Sequence, residues 1–202
     1  MKAATGRLAG LTAIVTGGGS GFGENICHAY AAEGAQVVVA DINAANGQHV
    51  VETLKAKGRE AVFVQTDVGL AADMQSLVDA ALRQFGKIDV MVNNAGISHA
   101  NQPMLQVKEA EFDRIFRVNV KSLFHSAVSC VPVFRRQGRG CFINIGSTAA
   151  VRPRPGLAWY NGSKGAVTLL TKSWAVELAP DNIRANSINP AIAETPLLTT
   201  FM

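Results

Sequence analysis

The chain has 202 residues, 48% apolar and 17% charged, which excludes a disordered chain and suits one well-buried domain. Its net charge of +4 is spread along the sequence without the basic–aromatic interleaving of a nucleic-acid binder, so no nucleic-acid partner is expected. No apolar stretch approaches the ~18 residues needed to span a bilayer, and the start carries no signal-peptide core, so the expected setting is cytoplasmic, with no membrane partner.

Leu11–Thr16 is a short apolar run, predicted as the first strand. A glycine-rich turn and a helix, Phe22–Glu33, follow it. Gln36–Ala40 is nearly pure valine, as expected for a strand buried on both faces. Asn43 is a good N-cap for a helix running to about Lys57. Ala61–Gln65 is the third strand. Leu70–Phe85 is helical, with Met74, Leu77, Val78, Ala81 and Leu82 on one stripe. Ile88–Val92 is the fourth strand, and a polar loop runs from Asn93 to Gln102. Glu109–Arg136 reads as one long helix, kinked near its end by Pro132. Cys141–Ile145 is the fifth strand, Leu157–Leu178 an amphipathic helix, and Ile183–Ile188 the sixth strand.

Alternation of this kind predicts a doubly wound parallel sheet of the Rossmann type, an α/β fold with strand order 3-2-1-4-5-6. No linker or repeat interrupts it, so residues 1–202 are expected as a single dinucleotide-binding and catalytic domain. The sixth strand would be left as an apolar edge, so a further C-terminal strand is expected and missing from this chain. Cys27, Cys130 and Cys141 are scattered and lack metal-ligand spacing. They read as buried small hydrophobes, and no metal is expected.

Gly17-x-x-x-Gly21-x-Gly23 sits between the first strand and its helix, where backbone turns tightly and a helix N-terminus favours a pyrophosphate. Asp41 ends the second strand, about 20 residues on, where a carboxylate accepts ribose hydroxyls and repels a 2′-phosphate. NAD is therefore favoured over NADP. Asp67-Val68 and Asn93-Asn94-Ala95-Gly96 end the third and fourth strands, on the ligand side of such sheets. Asn119 interrupts an apolar segment, as either an ordinary polar residue or a buried one holding water. Tyr160 and Lys164 are one helical turn apart, and Ser147 follows the fifth strand. A cation there would lower the phenol's pKa from ~10, and a serine hydroxyl could hold a substrate oxygen beside it. That is proton chemistry for interconverting an alcohol and a ketone.

These residues in this order resemble the short-chain dehydrogenase/reductase family over essentially the whole chain, in its single-domain form. The resemblance implies that Tyr160 is the general acid/base. Lys164 would lower its pKa and hold the nicotinamide ribose, Ser147 would polarise the substrate oxygen, and Asn119 would hold a relay water. It implies a cofactor site from Gly17, Ser20, Gly21, Phe22, Gly23, Asp41 and Ile42 through Asp67 and Val68 at adenine. Asn94, Ala95, Gly96, Tyr160, Lys164, Pro190, Ala193 and Thr195 would complete it. The family's usual Pro-Gly is Pro190-Ala191 here, and its lid and seventh strand are absent. The expected function is an NAD-dependent oxidoreductase. Its small-molecule substrate would be a 3-oxoacyl group docked through an acidic carrier by Arg135, Arg136 and Arg139, a sugar met by Ser98–Gln102, or a hydroxy acid met by Arg152 or Arg154. A non-catalytic nucleotide sensor or scaffold is the alternative. Leu169, Leu170 and Trp174 on the last long helix suggest a homodimer or homotetramer.

Overall fold

The computed structural model describes residues 6–191 and Thr200. Six parallel strands form one sheet: β1 (Thr12–Thr16), β2 (Gln36–Asp41), β3 (Ala61–Gln65), β4 (Val90–Asn93), β5 (Gly140–Ile145) and β6 (Ile183–Ile188). Their order is β3-β2-β1-β4-β5-β6, as expected. Helices α1 (Gly21–Ala32), α2 (Ala44–Ala56), α3 (Ala71–Phe85), α4 (Glu109–Phe116), α5 (Ser122–Gln137) and α6 (Ala158–Glu177) connect them.

The valine run explains why β2 is central. Successive strand side chains alternate between faces. Val38 and Ala40 join Ile14, Met91 and Phe142 in a core shared with Met74 and Leu77 of α3 and Phe134 of α5. Val37 and Val39 join Val15 and Val92 in the opposite core, with Cys27 of α1 and Val50 and Leu54 of α2. Each fully buried valine stabilises the fold by roughly 1.5–3 kcal/mol relative to exposure. Asn43 caps α2 by accepting the Asn46 N–H at 3.1 Å. All three cysteines are buried and free. Burial pushes the Cys27 and Cys130 thiols up to about 12.

Two elements differ from expectation. The fourth strand begins at Val90, because both backbone groups of Ile88 are taken by the side-chain amide of Gln137, at 3.1 and 2.6 Å. The single helix expected over 109–136 is two helices, α4 and α5, joined by a π turn over Arg117–Lys121. Such turns hold one extra residue per turn and often mark functional sites.

A buried polar chain ties the sheet to α6. Asn93 donates to Asn144 at 2.8 Å, Asn144 donates to Thr171 at 2.9 Å, and Thr171 donates to the Val167 carbonyl at 2.7 Å. Among the described residues no helix is long and apolar enough to cross a membrane.

Candidate functional site

A cleft of about 560 Å³ opens at the carboxyl ends of the strands. Gly17, Ser20, Gly21 and Phe22 form one wall, where the chain leaves β1 and enters α1. Ser20 N-caps α1 without a side-chain hydrogen bond, so the first-turn N–H groups are left for another acceptor. Gly17 has φ +62° and lies against Ala95, where a Cβ would be 3.0 Å from its Cα. Gly23 lies under this wall, and a Cβ there would sit 1.9 Å from the Gly17 carbonyl oxygen. Asn94 fastens the same turn, donating to the carbonyls of Thr16 and Gly17 at 2.8 and 3.1 Å. This side-chain-free cradle at a helix N-terminus fits a pyrophosphate.

Asp41 and Ile42 line the next part of the cleft. The Asp41 carboxylate accepts the backbone N–H of Gly19 and of Asn43, each at 2.9 Å, and is thereby aimed across the tip of β2. Asp67 and Val68 follow at the end of β3, with Ala95 and Gly96 from the loop after β4. The Asp67 carboxylate accepts the Gly69 N–H at 2.8 Å.

Ser147, Tyr160, Lys164 and Pro190 line the far end. Ser147 is buried and accepts the Ala149 N–H at 3.1 Å, which orients its hydroxyl. Its own N–H donates to Asn189 Oδ1 at 3.1 Å. That oxygen also accepts the hydroxyls of Thr168 and Ser187, at 3.3 and 3.1 Å. Gly146 is held against it so closely that a Cβ would lie 2.0 Å away. One amide therefore gathers the end of β5, the middle of α6 and the end of β6.

Asn119 is 1% exposed and fully engaged. Its Oδ1 accepts the Ile97 N–H at 2.8 Å, and its Nδ2 donates to the Ile97 carbonyl and the Ser163 hydroxyl, both at 2.9 Å. The π turn thus locks the loop after β4 to α6. A Cβ on Gly96 would stand 3.2 Å from Lys164 Nζ and 3.4 Å from Asn119 Oδ1, so the loop backbone lies against both. With both amide protons committed, a water could meet Asn119 only at the second lone pair of Oδ1.

Burial dominates the electrostatics of this end of the cleft. Burial raises the Tyr160 phenol above its ordinary pKa, while a hydrogen bond with Ser147 and the charge of Arg154 pull it down. Lys164 is turned towards the end of β5. Its Nζ donates to the Ile145 carbonyl at 2.8 Å and stands 6.0 Å from the Tyr160 ring centroid. Burial also drives this ammonium down to about 8, which weakens it as a fixed positive charge.

Every expected site residue within the described range lies in or directly against the cleft. Ala193 and Thr195 lie outside the described residues. Sequence reasoning missed Thr66, Ile97, Arg114 and Arg117, which also line it. For Arg117 the available signal was its place two residues before Asn119. The residues weighed for substrate are mostly engaged elsewhere. Arg135 pairs with Asp181 at 2.8 Å, and Arg139 with Asp89 at 3.0 Å. Ser98 donates to the His99 carbonyl, and His99 is buried with one ring nitrogen 2.8 Å from the Ala100 carbonyl. Arg152 is exposed, and Arg154 donates to the Ala191 carbonyl at 3.2 Å.

Residues 11–201 match the family described as short chain dehydrogenase. The 4-formylbenzenesulfonate dehydrogenase of Comamonas testosteroni is 48% identical over 190 residues, which cover 94% of this chain and 75% of that protein. A cyclopentanol dehydrogenase of the same organism is 38% identical over 192 residues, covering 95% of this chain and 76% of that one. The crystal structure of a 3-ketoacyl-(acyl-carrier-protein) reductase from Brucella melitensis complexed with NADH superimposes with a TM-score of 0.93. It is 45% identical and covers 96% of this chain and 80% of that one.

Proposed function

Because this chain belongs to the short-chain dehydrogenase family and is an oxidoreductase that moves hydride between a nicotinamide cofactor and an alcohol or ketone, we propose that Tyr160 is its proton donor and acceptor and NAD its cofactor. The observation that carries this reading is Tyr160 and Ser147 together lining the end of a cleft whose other end is the glycine cradle. When bound, the nicotinamide ring gives or takes the hydride. Ser147 holds the substrate oxygen beside the phenol. In reduction Tyr160 O–H passes its proton to that oxygen as negative charge develops there, and in oxidation the phenolate takes the hydroxyl proton. Lys164 stands one helical turn from this exchange, Asn119 fixes the loop that backs it, and Asp67 meets the adenine. The Asp41 carboxylate suits two ribose hydroxyls and repels a 2′-phosphate, which favours NAD over NADP.

A second reading concerns the substrate. The charge of Arg154 is felt at Tyr160, and a relative 48% identical is a 4-formylbenzenesulfonate dehydrogenase. Both favour an alcohol or carbonyl compound bearing a carboxylate or sulfonate. The pairing of Arg135 and Arg139 with acidic neighbours makes them poor docking points for an acidic carrier. Self-association is proposed as well. Phe124 and Val128 on α5 and Leu169 and Val176 on α6 are all more than half exposed, whereas Trp174 packs on Phe142 at 4.9 Å and contributes little.

The test assays the protein and its Tyr160→Phe variant with NAD and NADP on matched alcohols and ketones, with and without an anionic group. Tyr160→Phe is expected to lose about 10²–10⁴-fold in kcat and to bind NADH within twofold of the parent. Near-normal turnover by the variant would refute the proton role. Tighter binding of NADPH than NADH would refute the cofactor assignment, and indifference to the anionic group the substrate reading.

A further inference from the structure

Arg117 stands on the π turn and reaches across to the loop after β3. Its Nη1 is 3.0 Å from Asp67 Oδ2, joining residues 50 apart in sequence. The other Asp67 oxygen accepts the Gly69 N–H at 2.8 Å, and the Asp67 N–H donates to Asp73 Oδ2 at 2.9 Å. The loop is shaped to admit the guanidinium. A Cβ on Gly69 would lie 2.9 Å from both Cγ and Nη1 of Arg117, so a larger residue there would push the side chain off the loop. Asp67, Val68, Arg117 and Val118 all face the cleft. Two valines make an apolar wall, and a carboxylate stands at its edge. That combination suits a flat heteroaromatic ring whose exocyclic amine donates to the carboxylate. An ionised carboxylate has about four acceptor positions, so two partners leave room for that amine.

We propose that Arg117 is a positioning residue for the adenine half of the dinucleotide, acting by holding the Asp67 carboxylate in the cleft. This rests on the dinucleotide reading above. Without the guanidinium, the carboxylate keeps only the Gly69 N–H and is free to turn towards solvent. The Arg117 side chain is 41% exposed and that of Asp67 19%, so the pair is partly screened and the effect is moderate.

The test compares two ligands by calorimetric titration: NADH, and reduced nicotinamide mononucleotide, which lacks the adenylate half. Arg117→Gln is expected to weaken NADH about fivefold, the most a partly exposed ion pair supplies. The mononucleotide should change less than twofold, and Arg117→Lys should recover most of the NADH affinity. Gly69→Ala keeps the charge but displaces it, and should match Arg117→Gln. Unchanged NADH affinity in both Arg117→Gln and Gly69→Ala, or equal weakening of the two ligands, would overturn the proposal. Failure of the parent protein to bind either ligand would instead overturn the dinucleotide reading, and this proposal with it.

Discussion

Lys164 is a charge held away from water with one protein hydrogen bond, so replacing it with methionine changes how stability depends on pH. Burial lowers its pKa from 10.5 to about 8. That displacement corresponds to about 3 kcal/mol of differential cost to the charged form. The folded-state value lies below the unfolded one. Between pH 8 and 10.5, therefore, the unfolded chain keeps a proton that the folded chain has released. Raising the pH through this window stabilises the fold, and below about pH 8 the folded protein bears the full cost of the buried ammonium. Methionine fills similar space without a charge. It forfeits the bond to the Ile145 carbonyl, but the dependence of that bond on protonation is already part of the folded-state pKa, and the remainder enters as a constant offset. Urea unfolding of both proteins from pH 7 to about 10.5, at one protein concentration, isolates the effect, because all other titrations cancel in the difference. The stability of the parent relative to Lys164→Met should climb by about 3 kcal/mol across the window. A difference that stays flat with pH would refute the reasoning.

Gly23→Ala would put a methyl group 1.9 Å from the Gly17 carbonyl oxygen and 2.6 Å from Asn94 Nδ2. The turn must move, so destabilisation of about 1–3 kcal/mol in urea unfolding and at least about tenfold weaker NADH binding are expected; parent-like binding would show that the turn can yield. Asn119→Ala would strand the Ile97 N–H and carbonyl and take the amide donor from the Ser163 hydroxyl, at a cost on the order of 3 kcal/mol in the same assay. A loss below about 1 kcal/mol would mean that other groups take over those bonds.

The sheet was legible because its signals are local. The valine run of β2 and the glycine turn after β1 each mean one thing in an alternating pattern, and the strand order follows from handedness. The start of β4 was not legible, since Ile88 is as apolar as its neighbours and only the distant Gln137 removes it from the ladder. The break between α4 and α5 was hidden as well. An extra residue within a turn barely disturbs an apolar stripe, and nothing in Arg117–Lys121 is a helix breaker. Tyr160 and Lys164 were correctly seen as neighbours one turn apart. Spacing does not reveal burial, or that Lys164 turns its amine to Ile145. The same blindness to long-range partners made Arg135 and Arg139 look like docking charges, and it concealed the pairing of Arg117 with Asp67.

The amide of Asn189 has a consequence for the order in which the protein becomes functional as it is made. Chains are synthesised from the N-terminus, and a domain generally folds as a unit as its residues become available. Tyr160 and Lys164 belong to α6, which packs on β5 and, more extensively, on β6. Ser147 precedes them in sequence, but its backbone N–H is anchored by a residue that follows β6. A nascent chain that has released α6 but not β6 and Asn189 therefore lacks both the strand that seats this helix and the anchor of the Ser147 backbone. The residues of the glycine cradle have all been released at that stage. The glycine cradle is built from residues that all precede β6, whereas the proton-handling end of the cleft waits for β6 and Asn189.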